Sequence, residues 1–510
     1  MTAADALAPR ALFREVALLV LGLTSIFLLT HSGFDYSEAV FHYAIAQQIV
    51  AHGELSFPEH KEGTYYVAPN GRTYAAHELG NTLILLPAAS LNQLIATHLT
   101  RRLGASRVEM ITRFLFSATG PIVCAVGAGF LYLMLRLLFS QSVRSATLGV
   151  IIFVFCSFYW SYTRIMFDGV LSGVLLTGGM LFLGLFVRKP EQDALLIAAF
   201  ACFGFGVITR LSMVLPIAAA GLYLALNRSR IQRVLRPAVL VVITLAPFVC
   251  WQLYYNHLRT GNVFISPVQT QSYAVNNGLG GNLAVGLAGL LFSPGKSVFV
   301  YCPIALLSLA LIVRFWRAYR DEAVFVSVLT LMWLLLHAKL QSWYGAWGWG
   351  PRHFVTIAPV LALPFLVMRF SLRSRVARVV SGVLLGWGFV LAAASNLCNT
   401  YYRLGIAYQK GLLENDRFYW SIANNQPLDT VLTTARNFNR MLHGGAYEVL
   451  PGSSKINVEA SNTVNLWWVT AYHAGMPLVP LTVIVLLLSA CAAWSFWKLY
   501  RGESFQVKAS

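Results

Sequence analysis

The sequence predicts an all-α protein that crosses a membrane about twelve times. Three observations support this fold class: 57% of the 510 residues are hydrophobic, only 11% are charged, and the mean hydropathy is +0.63. Soluble domains carry about 25% charged residues. A chain of this composition therefore needs lipid as the solvent for much of its surface.

Twelve apolar segments approach the roughly 20 residues that a membrane-spanning helix needs. They lie at about 13–31, 112–138, 146–163, 169–187, 194–209, 211–226, 238–256, 298–315, 323–341, 354–370, 378–398 and 476–497. The two segments between 194 and 226 are short and meet at Arg210, so eleven or thirteen spans also fit the pattern. No small-residue cleavage site follows the first segment, which predicts a retained span instead of a signal peptide.

Basic residues occupy every second loop between these segments, which predicts that those loops and both termini are cytoplasmic. The net charge of +18 is then explained by basic residues in the cytoplasmic loops. Nucleic acid is not predicted as a partner, because no run of base-stacking aromatic residues accompanies the basic residues. The basic set consists of Arg10, Arg14, Arg136, Arg144, Arg188, Lys189, Arg228, Arg230, Arg233, Arg236, Arg314, Arg317, Arg320, Arg369, Arg373, Arg375, Lys498 and Arg501.

The opposite side receives three long segments, at about 32–111, 257–297 and 399–475. In the first, residues 36–51 and 79–100 have apolar residues at helical spacing with polar breaks, which predicts two interfacial helices. A turn at Pro69-Asn70-Gly71 separates them. We expect a catalytic core over residues 1–370 and a carboxy-terminal part over 371–510.

Asp35 directly follows the first span, at the outer membrane interface. Glu38 and His42 lie three and seven residues further on, on the same face if this stretch is helical. The pattern favours a catalytic carboxylate, and a helix N-terminus stabilised by Asp and Glu is the structural alternative. A divalent metal held by this face is a weaker alternative, because no further ligand cluster is evident.

Arg164 and Asp168 occupy the short outer turn after the third span. A carboxylate so close to hydrocarbon needs a partner or a wet cavity, so the pair either supports a functional site or satisfies itself one helical turn apart. Arg210, between two short apolar runs, either lines a cavity or extends to the surface.

The stretch LLFSPGKSVFVYCP, residues 290–303, places Lys296 after a Ser-Pro-Gly turn at the start of a span. Exposed backbone amides, a helix start and a lysine would suit a phosphate group. The alternative is an ordinary connection from a loop to a helix.

The densest motif is HAKLQSWYGAWGWGPRHFVTIAP, residues 337–359, which contains Trp343, Tyr344, Arg352 and His353. An interfacial aromatic belt explains the tryptophans, but it does not explain an Arg-His pair at a helix start. Arg352 could grip phosphate oxygens in a bidentate fork.

These candidates all lie on the predicted non-cytoplasmic side, where nucleotide donors are absent. The sequence has no P-loop and no GxGxxG opening a helix, and its cysteines lie mostly in apolar runs without a C-x-x-C pair. No cofactor is predicted. A polyprenyl-phosphate sugar donor fits these candidate residues, because the cations could hold the leaving phosphate and one carboxylate could activate the acceptor hydroxyl.

The order of these features resembles the GT-C superfamily of membrane glycosyltransferases, in particular the protein O-mannosyltransferase and aminoarabinose-transferase-like group. The resemblance rests on Asp35 after the first span, on Asp168, and on the motifs FSPGKSVFVYCP, WGWGPRHF and YYVAPNGRTYAAHELGNTLILLPA. The last motif, residues 65–88, contributes His77 and Glu78 as candidate substrate-binding residues.

This resemblance implies a GT-C-like fold in a bacterial inner membrane, with Asp35 as the general base and Asp168 as a supporting acid. It also implies inversion at the sugar, and a lipid, glycan or protein as acceptor. Many members carry two adjacent acids in the first loop, whereas Glu38 is three residues from Asp35 here. Metal dependence therefore stays open.

Three other classes compete with this interpretation. A transporter or lipid flippase would place charges near the bilayer midplane, often in two repeated halves, and no repeat is visible. A lipid-pyrophosphate-dependent polymerase or ligase would carry an arginine-rich outer loop. A membrane scaffold would leave the candidates far apart, whereas an enzyme should gather Asp35, Asp168 and Arg352 at one outward cavity.

Overall fold

The computed structural model describes residues 9–32, 39–58, 65–164, 166–231, 235–267, 270, 278–345, 348–369, 374–413, 417–423 and 425–506. Within these ranges the chain is almost entirely helical. The predicted all-α fold class is confirmed. Asp35 and Glu38 lie outside the described residues.

The helices up to residue 260 are α1 (Pro9–Leu29), α2 (Ala39–His52), α3 (Gly80–Leu103), α4 (Ala105–Ser117), α5 (Thr119–Leu137), α6 (Val143–Phe155), α7 (Tyr159–Tyr162), α8 (Asp168–Arg188), α9 (Asp193–Val207), α10 (Val214–Leu226), α11 (Arg228–Ile231) and α12 (Leu235–Thr260). Beyond residue 260 they are α13 (Leu283–Phe292), α14 (Val298–Tyr301), α15 (Pro303–Ala318), α16 (Arg320–Ala338), α17 (Ala358–Met368), α18 (Arg375–Leu397), α19 (Thr400–Gln409), α20 (Arg417–Trp420), α21 (Gln426–His443), α22 (Lys455–Asn462), α23 (Trp467–His473) and α24 (Leu478–Gln506). Short 3-10 turns cover Leu211–Met213 and Arg352–Phe354.

Each of the twelve predicted spans coincides with helix in the structure. Among the described residues, eight helices are long and apolar enough to cross a membrane, and five shorter apolar helices accompany them. Three predicted spans are interrupted: Ala118 separates α4 from α5, residues 156–158 separate α6 from α7, and Cys302 separates α14 from α15. These interruptions explain why an apolar run alone gives an uncertain number of spans.

The first long segment contains the two predicted helices, α2 and α3. Between them, strands β1 (Tyr65–Val67) and β2 (Thr73–Ala75) pair antiparallel around the predicted Pro-Asn-Gly turn. Helix α3 also has the length and composition of a span, so length alone does not separate an interfacial helix from a crossing one.

Much of the helical surface is apolar and uncovered. In α12 and α24, only 11% and 17% of the most apolar stretch is buried inside the protein. Exposing so much apolar surface to water along whole helices would be unfavourable, so these faces require lipid.

The basic loops meet at one end of the helical body. The Arg188 guanidinium donates to the carbonyls of Leu137 and Leu138. Arg369 donates to Gln141 in the loop before α6 and to Ser145 in the first turn of α6. Helix α1 packs along α5 and α24, which places the carboxy-terminal helix inside the same body. The loops that carry Asp168, Arg210 and Arg352 lie at the other helix ends.

Candidate functional site

Asp168 is the first residue of α8. Phe167 before it is extended, so the chain enters the helix abruptly and Asp168 lies where a negative charge favours the helix dipole. Its Oδ1 accepts from the Gly169 amide at 2.6 Å and lies 3.8 Å from Nη1 of Arg210. Both side chains are 13% exposed.

Arg210 occupies the extended junction between α9 and the turn that precedes α10. Its Nη2 lies 2.9 Å from Nδ1 of His353, and its guanidinium is 6.0 Å from the Trp333 ring. A Cβ atom on Gly169 would approach Nη1 to 3.0 Å, so the glycine leaves the space that the guanidinium needs. Arg210 is therefore held among partners from other elements and does not extend to the surface.

His353 lies in the 3-10 turn before α17, with its ring centroid 4.8 Å from that of His337. Burial, together with the charges of His337, Arg210, Arg352 and Lys296, holds the pKa of His353 well below its ordinary value. The imidazole is thus neutral near pH 7. Because arginine can only donate, Nδ1 accepts and Nε2 carries the proton.

His353 and Arg210 each have a hydrogen-bond donor that remains available to a ligand. Within the described part of the chain, neither Nε2 of His353 nor Nη1 of Arg210 has a hydrogen-bond partner, although both are buried. Buried donors are normally paired. Two such atoms on adjoining side chains are suited to an acceptor group brought by a ligand.

Arg352 is wrapped by the glycine-rich loop before it. A Cβ atom on Gly348 would lie 2.3 Å from the Arg352 Cδ, and one on Gly345 would lie 2.8 Å from its Cγ. The guanidinium lies 5.4 Å from the ring of Phe167, the neighbour of Asp168. The structure thus brings Arg352, His353, Arg210 and Asp168 together, while the predicted third member of the site, Asp35, lies outside the described residues.

Lys296 supports this loop from behind. It is fully buried, and its ammonium donates to the carbonyls of Gly348 at 2.6 Å and Gly350 at 3.1 Å. Burial and the nearby Arg352 hold its pKa well below the ordinary value. The prediction that the backbone amides of this turn are exposed to a phosphate is wrong, because the Gly295 amide donates to the Tyr419 carbonyl and the Lys296 amide donates to Ser293 Oγ.

Trp343 and Tyr344 pack beneath the same loop. Trp343 is 3% exposed and lies against Gly289, where a Cβ atom would approach its ring to 2.2 Å. Tyr344 stacks on Tyr419 at 4.6 Å between ring centroids. Both residues join the loop to neighbouring elements, and Tyr344 is partly exposed.

Glu78, predicted to bind substrate, forms a buried ion pair with Arg259. Arg259 Nη2 donates to Glu78 Oε2 at 2.8 Å, Gln252 donates to the same oxygen, and Ser266 donates to Oε1 at 3.0 Å. Arg259 also donates to the His77 carbonyl at 3.0 Å. With both oxygens occupied, Glu78 joins the first long segment to α12, which corrects the predicted role.

The first long segment reaches the site through the start of α3. The Gly80 amide donates to the Ile208 carbonyl at 2.6 Å, two residues before Arg210, and Asn81 donates to the Met166 carbonyl, two residues before Asp168. His42 contacts Thr82 at 3.0 Å, and its ring lies 6.1 Å from that of His77. The helix that follows Asp35 and Glu38 therefore packs against α3, whose first residues contact the chain just before Arg210 and Asp168.

Arg164 extends away from the Asp168 carboxylate that sequence spacing suggested as its partner. Its guanidinium donates to the Cys398 carbonyl at 3.3 Å and to Thr400 Oγ1 at 3.1 Å. The extended Phe167 breaks the helical register, so the two residues are not one helical turn apart. Asp168 pairs with Arg210 instead, and Arg164 joins this region to α19.

Two further residues of the site were missed by sequence reasoning. His337 and Trp333 lie inside a predicted span, where both look like core residues, and Trp333 Nε1 donates to the His353 carbonyl at 2.9 Å. Outside the site, Arg259 lies beyond the end of a predicted span, and no local pattern indicated Glu78 as its partner. Among the described residues, no group of three His, Cys, Asp or Glu side chains could hold a metal.

Residues 114–254 match the family model described as dolichyl-phosphate-mannose-protein mannosyltransferase. The matched segment covers less than half of the chain and contains Arg164, Asp168 and Arg210. The match confirms the predicted resemblance to GT-C glycosyltransferases and the predicted enzyme class. No curated protein sequence matches the chain.

Solved structures with a similar arrangement include ArnT from Cupriavidus metallidurans bound to undecaprenyl phosphate, at 13% identity and a TM-score of 0.47, covering 94% of this chain and 77% of ArnT. The Archaeoglobus fulgidus oligosaccharyltransferase with zinc and sulfate has 12% identity and a TM-score of 0.48, covering 79% of this chain and 57% of that one. AglB from the same organism, with an inhibitory peptide and a dolichol-phosphate, has 10% identity and a TM-score of 0.41, covering 80% and 60%. These values are too low to transfer a site or an activity.

Proposed function

We propose that the protein transfers a sugar from a polyprenyl-phosphate donor to an acceptor at the non-cytoplasmic face of a bacterial inner membrane. The observation that carries this proposal is the grouping of Arg210, Arg352 and the buried, neutral His353 beside Asp168. The family match over residues 114–254 supports the class of donor, because its description names a lipid-phosphate sugar.

The cluster suits a leaving phosphate. Negative charge develops on the phosphate oxygens as the bond to the sugar breaks, and preorganised donors in a water-poor site stabilise that charge strongly. Arg210 Nη1 and His353 Nε2 are such donors, and Arg352 adds a second guanidinium. Lys296 acts by holding the loop that positions Arg352.

The two carboxylates have different roles in this proposal. Asp168 lies beside Arg210 and orients its guanidinium. Asp35, which precedes the helix α2 that packs against α3, takes the proton from the acceptor hydroxyl. Attack from the face opposite the phosphate would invert the configuration of the sugar. A phosphate leaving group is a weak base, so no general acid is required.

The proposed orientation follows from the segregation of charge. Basic loops gather at one end of the helical body, which the positive-inside rule assigns to the cytoplasm together with both termini. The cluster at the other end would then be reached by a donor whose isoprenoid chain lies in the bilayer. Acceptor classes compatible with that side are a lipid, a glycan or a protein.

The test is transfer of radiolabelled sugar from a polyprenyl-phosphate donor by the purified protein in lipid nanodiscs. Replacing Asp35 with Asn removes the base and should lower the rate by about 100-fold or more. Asp193→Asn is a matched control, because Asp193 pairs with Arg236 at the opposite helix ends. Wild-type transfer by Asp35→Asn would refute the mechanism.

A further inference from the structure

The last turns of α16 carry a tryptophan and a histidine that adjoin the Arg210–His353 contact. Trp333 and His337 are four residues apart, so they lie on one face of the helix. Trp333 is 0% exposed and His337 is 2% exposed. A polar side chain buried in an apolar helix of this length has a cost, so the presence of His337 calls for an explanation.

The rings of Trp333, His337 and His353 form a continuous stack. The ring centroids of Trp333 and His337 are 4.8 Å apart, with an angle of 30° between the ring planes. The centroids of His337 and His353 are also 4.8 Å apart, at 32°. The χ2 torsion of a histidine is otherwise broad, so the stack restricts the plane of the His353 imidazole and the direction of its Nε2–H bond.

The orientation of His337 is fixed by its own helix. Its Nδ1 lies 2.9 Å from the Trp333 carbonyl oxygen. Because a carbonyl oxygen can only accept, Nδ1 carries a proton and donates it to this bond. The bond holds the imidazole of His337 in one rotation, so the ring presents a constant face to His353.

Trp333 contacts the other parts of the same donor pair. Its Nε1 donates to the His353 carbonyl at 2.9 Å. Its ring lies 6.0 Å from the Arg210 guanidinium, within the range of a cation–π interaction. The outer end of α16 therefore contacts the main chain of His353, the imidazole of His353 and the guanidinium of Arg210.

The end of α16 is itself held by a neighbouring helix and loop. A Cβ atom on Gly286 of α13 would collide with the Ala338 carbonyl, so α13 packs directly on the backbone of the last turn of α16. Just beyond that turn, the Gly281 amide donates to the Lys339 carbonyl at 3.0 Å. A support that is fixed in this way can hold a donor in a constant direction.

We propose that His337 is a positioning residue, which stacks on His353 and directs its Nε2–H bond toward a phosphate oxygen of the bound lipid. The proposal rests on the proposed function and adds a residue that acts through His353 without touching the phosphate. The structural alternative is that His337 only fills space in the core. A residue of similar size would then serve equally well, whatever its shape.

The test compares two replacements of His337 in the full-length protein in phosphatidylcholine nanodiscs. The measurement is saturable binding of undecaprenyl phosphate, with thermal unfolding recorded on the same samples. His337→Leu keeps a similar volume without a flat ring, and its affinity should fall by about tenfold because the hydrogen bond from His353 to the phosphate is misdirected. His337→Phe restores the stacked ring and should bind within about threefold of wild type.

Phe325→Leu is the matched control for His337→Leu. Phe325 is a buried aromatic residue of the same helix that packs against Tyr223, at 6.0 Å between ring centroids. Its replacement removes a ring from the core far from His353 and should leave the affinity for undecaprenyl phosphate unchanged. A loss of affinity in Phe325→Leu equal to that in His337→Leu would assign the effect to packing alone and overturn the proposal.

A double variant tests whether His337 acts through His353. When His353→Gln is already present, adding His337→Leu should cause no further loss of affinity, because the two residues form one unit. A further tenfold loss in the double variant would overturn the proposal. Wild-type affinity in His337→Leu, or a loss in His337→Phe as large as that in His337→Leu, would overturn it as well.

Sugar transfer is measured on the same samples to separate this proposal from the proposed reaction. Affinities that follow the predicted order without any transfer would refute the reaction and leave the positioning role intact. Transfer by the wild type, together with unchanged binding in His337→Leu, would refute the positioning role alone. A wild-type protein that does not bind undecaprenyl phosphate would overturn both.

Discussion

Arg210 Nη2 lies 2.9 Å from Nδ1 of His353, which joins the connection between α9 and α10 to the turn before α17. The contact fixes the imidazole tautomer and leaves Nε2 as a donor. It also requires a neutral His353, since a protonated ring could not accept from a guanidinium.

The lowered pKa of His353 predicts a specific pH dependence of stability. Unfolded His353 binds a proton near pH 6.5 while the folded protein excludes it, so folding stability falls as the pH drops below that value. The loss is about 1.4 kcal/mol per pH unit between the two pKa values. His353→Gln should therefore lose less stability than wild type between pH 7 and pH 5.5, measured by thermal unfolding.

The exposed His443→Gln is the control for the His353 variant, since it should follow the wild-type profile. Parallel pH profiles of wild type and His353→Gln would show that folding does not lower the pKa of His353. The proposed acceptor role of Nδ1 would then be wrong.

The close contact of Gly348 with Arg352 predicts that a single methyl group displaces the guanidinium. In Gly348→Ala, the Cβ atom would lie 2.3 Å from the Arg352 Cδ. We expect transfer to fall by about 100-fold, the effect of misplacing a positioning group by about 1 Å, while the protein still folds.

Gly382→Ala is the matched control for Gly348→Ala, because no atom lies within 4 Å of its added Cβ. It should retain activity, since helix interiors favour alanine over glycine. Wild-type transfer by Gly348→Ala would indicate that Arg352 does not act at its observed position.

Breaking the Glu78–Arg259 pair should lower the stability of the protein without removing a residue that acts in transfer. Arg259 is fully buried and Glu78 is 4% exposed, so Arg259→Ala leaves a buried carboxylate without its counterion. The expected cost is about 3–5 kcal/mol of unfolding free energy, measured by thermal or denaturant unfolding in detergent. Arg113→Ala, which breaks an exposed pair with Glu109, should cost less than about 1 kcal/mol.

The fold was largely predictable because lipid imposes a simple rule on sequence. A span must be apolar over about 20 residues, and basic residues mark one side. All twelve predicted segments are helical for this reason. Breaks such as Ala118 escaped prediction, since an apolar run continues through a change of helix axis.

The site was predictable only in part. A polar residue in apolar surroundings needs a partner or a function. This criterion identified Asp168, Arg210 and the Arg352-His353 pair. Their partners depend on contacts between distant segments, so spacing suggested Arg164 for Asp168 where the structure has Arg210. Glu78 and Lys296 are also charged residues in apolar surroundings, but their partners lie within the protein. Glu78 pairs with Arg259, and Lys296 donates to backbone carbonyls.

The central claim is that Arg210 and Arg352 hold a lipid-linked phosphate. It is tested most directly by comparing the binding of undecaprenyl phosphate and undecaprenol to the protein in nanodiscs. We expect saturable binding of the phosphate, little binding of the alcohol, and an affinity for the phosphate that is lower by about tenfold or more in Arg210→Ala. Equal binding of the phosphate and the alcohol, or an unchanged affinity in Arg210→Ala, would contradict it.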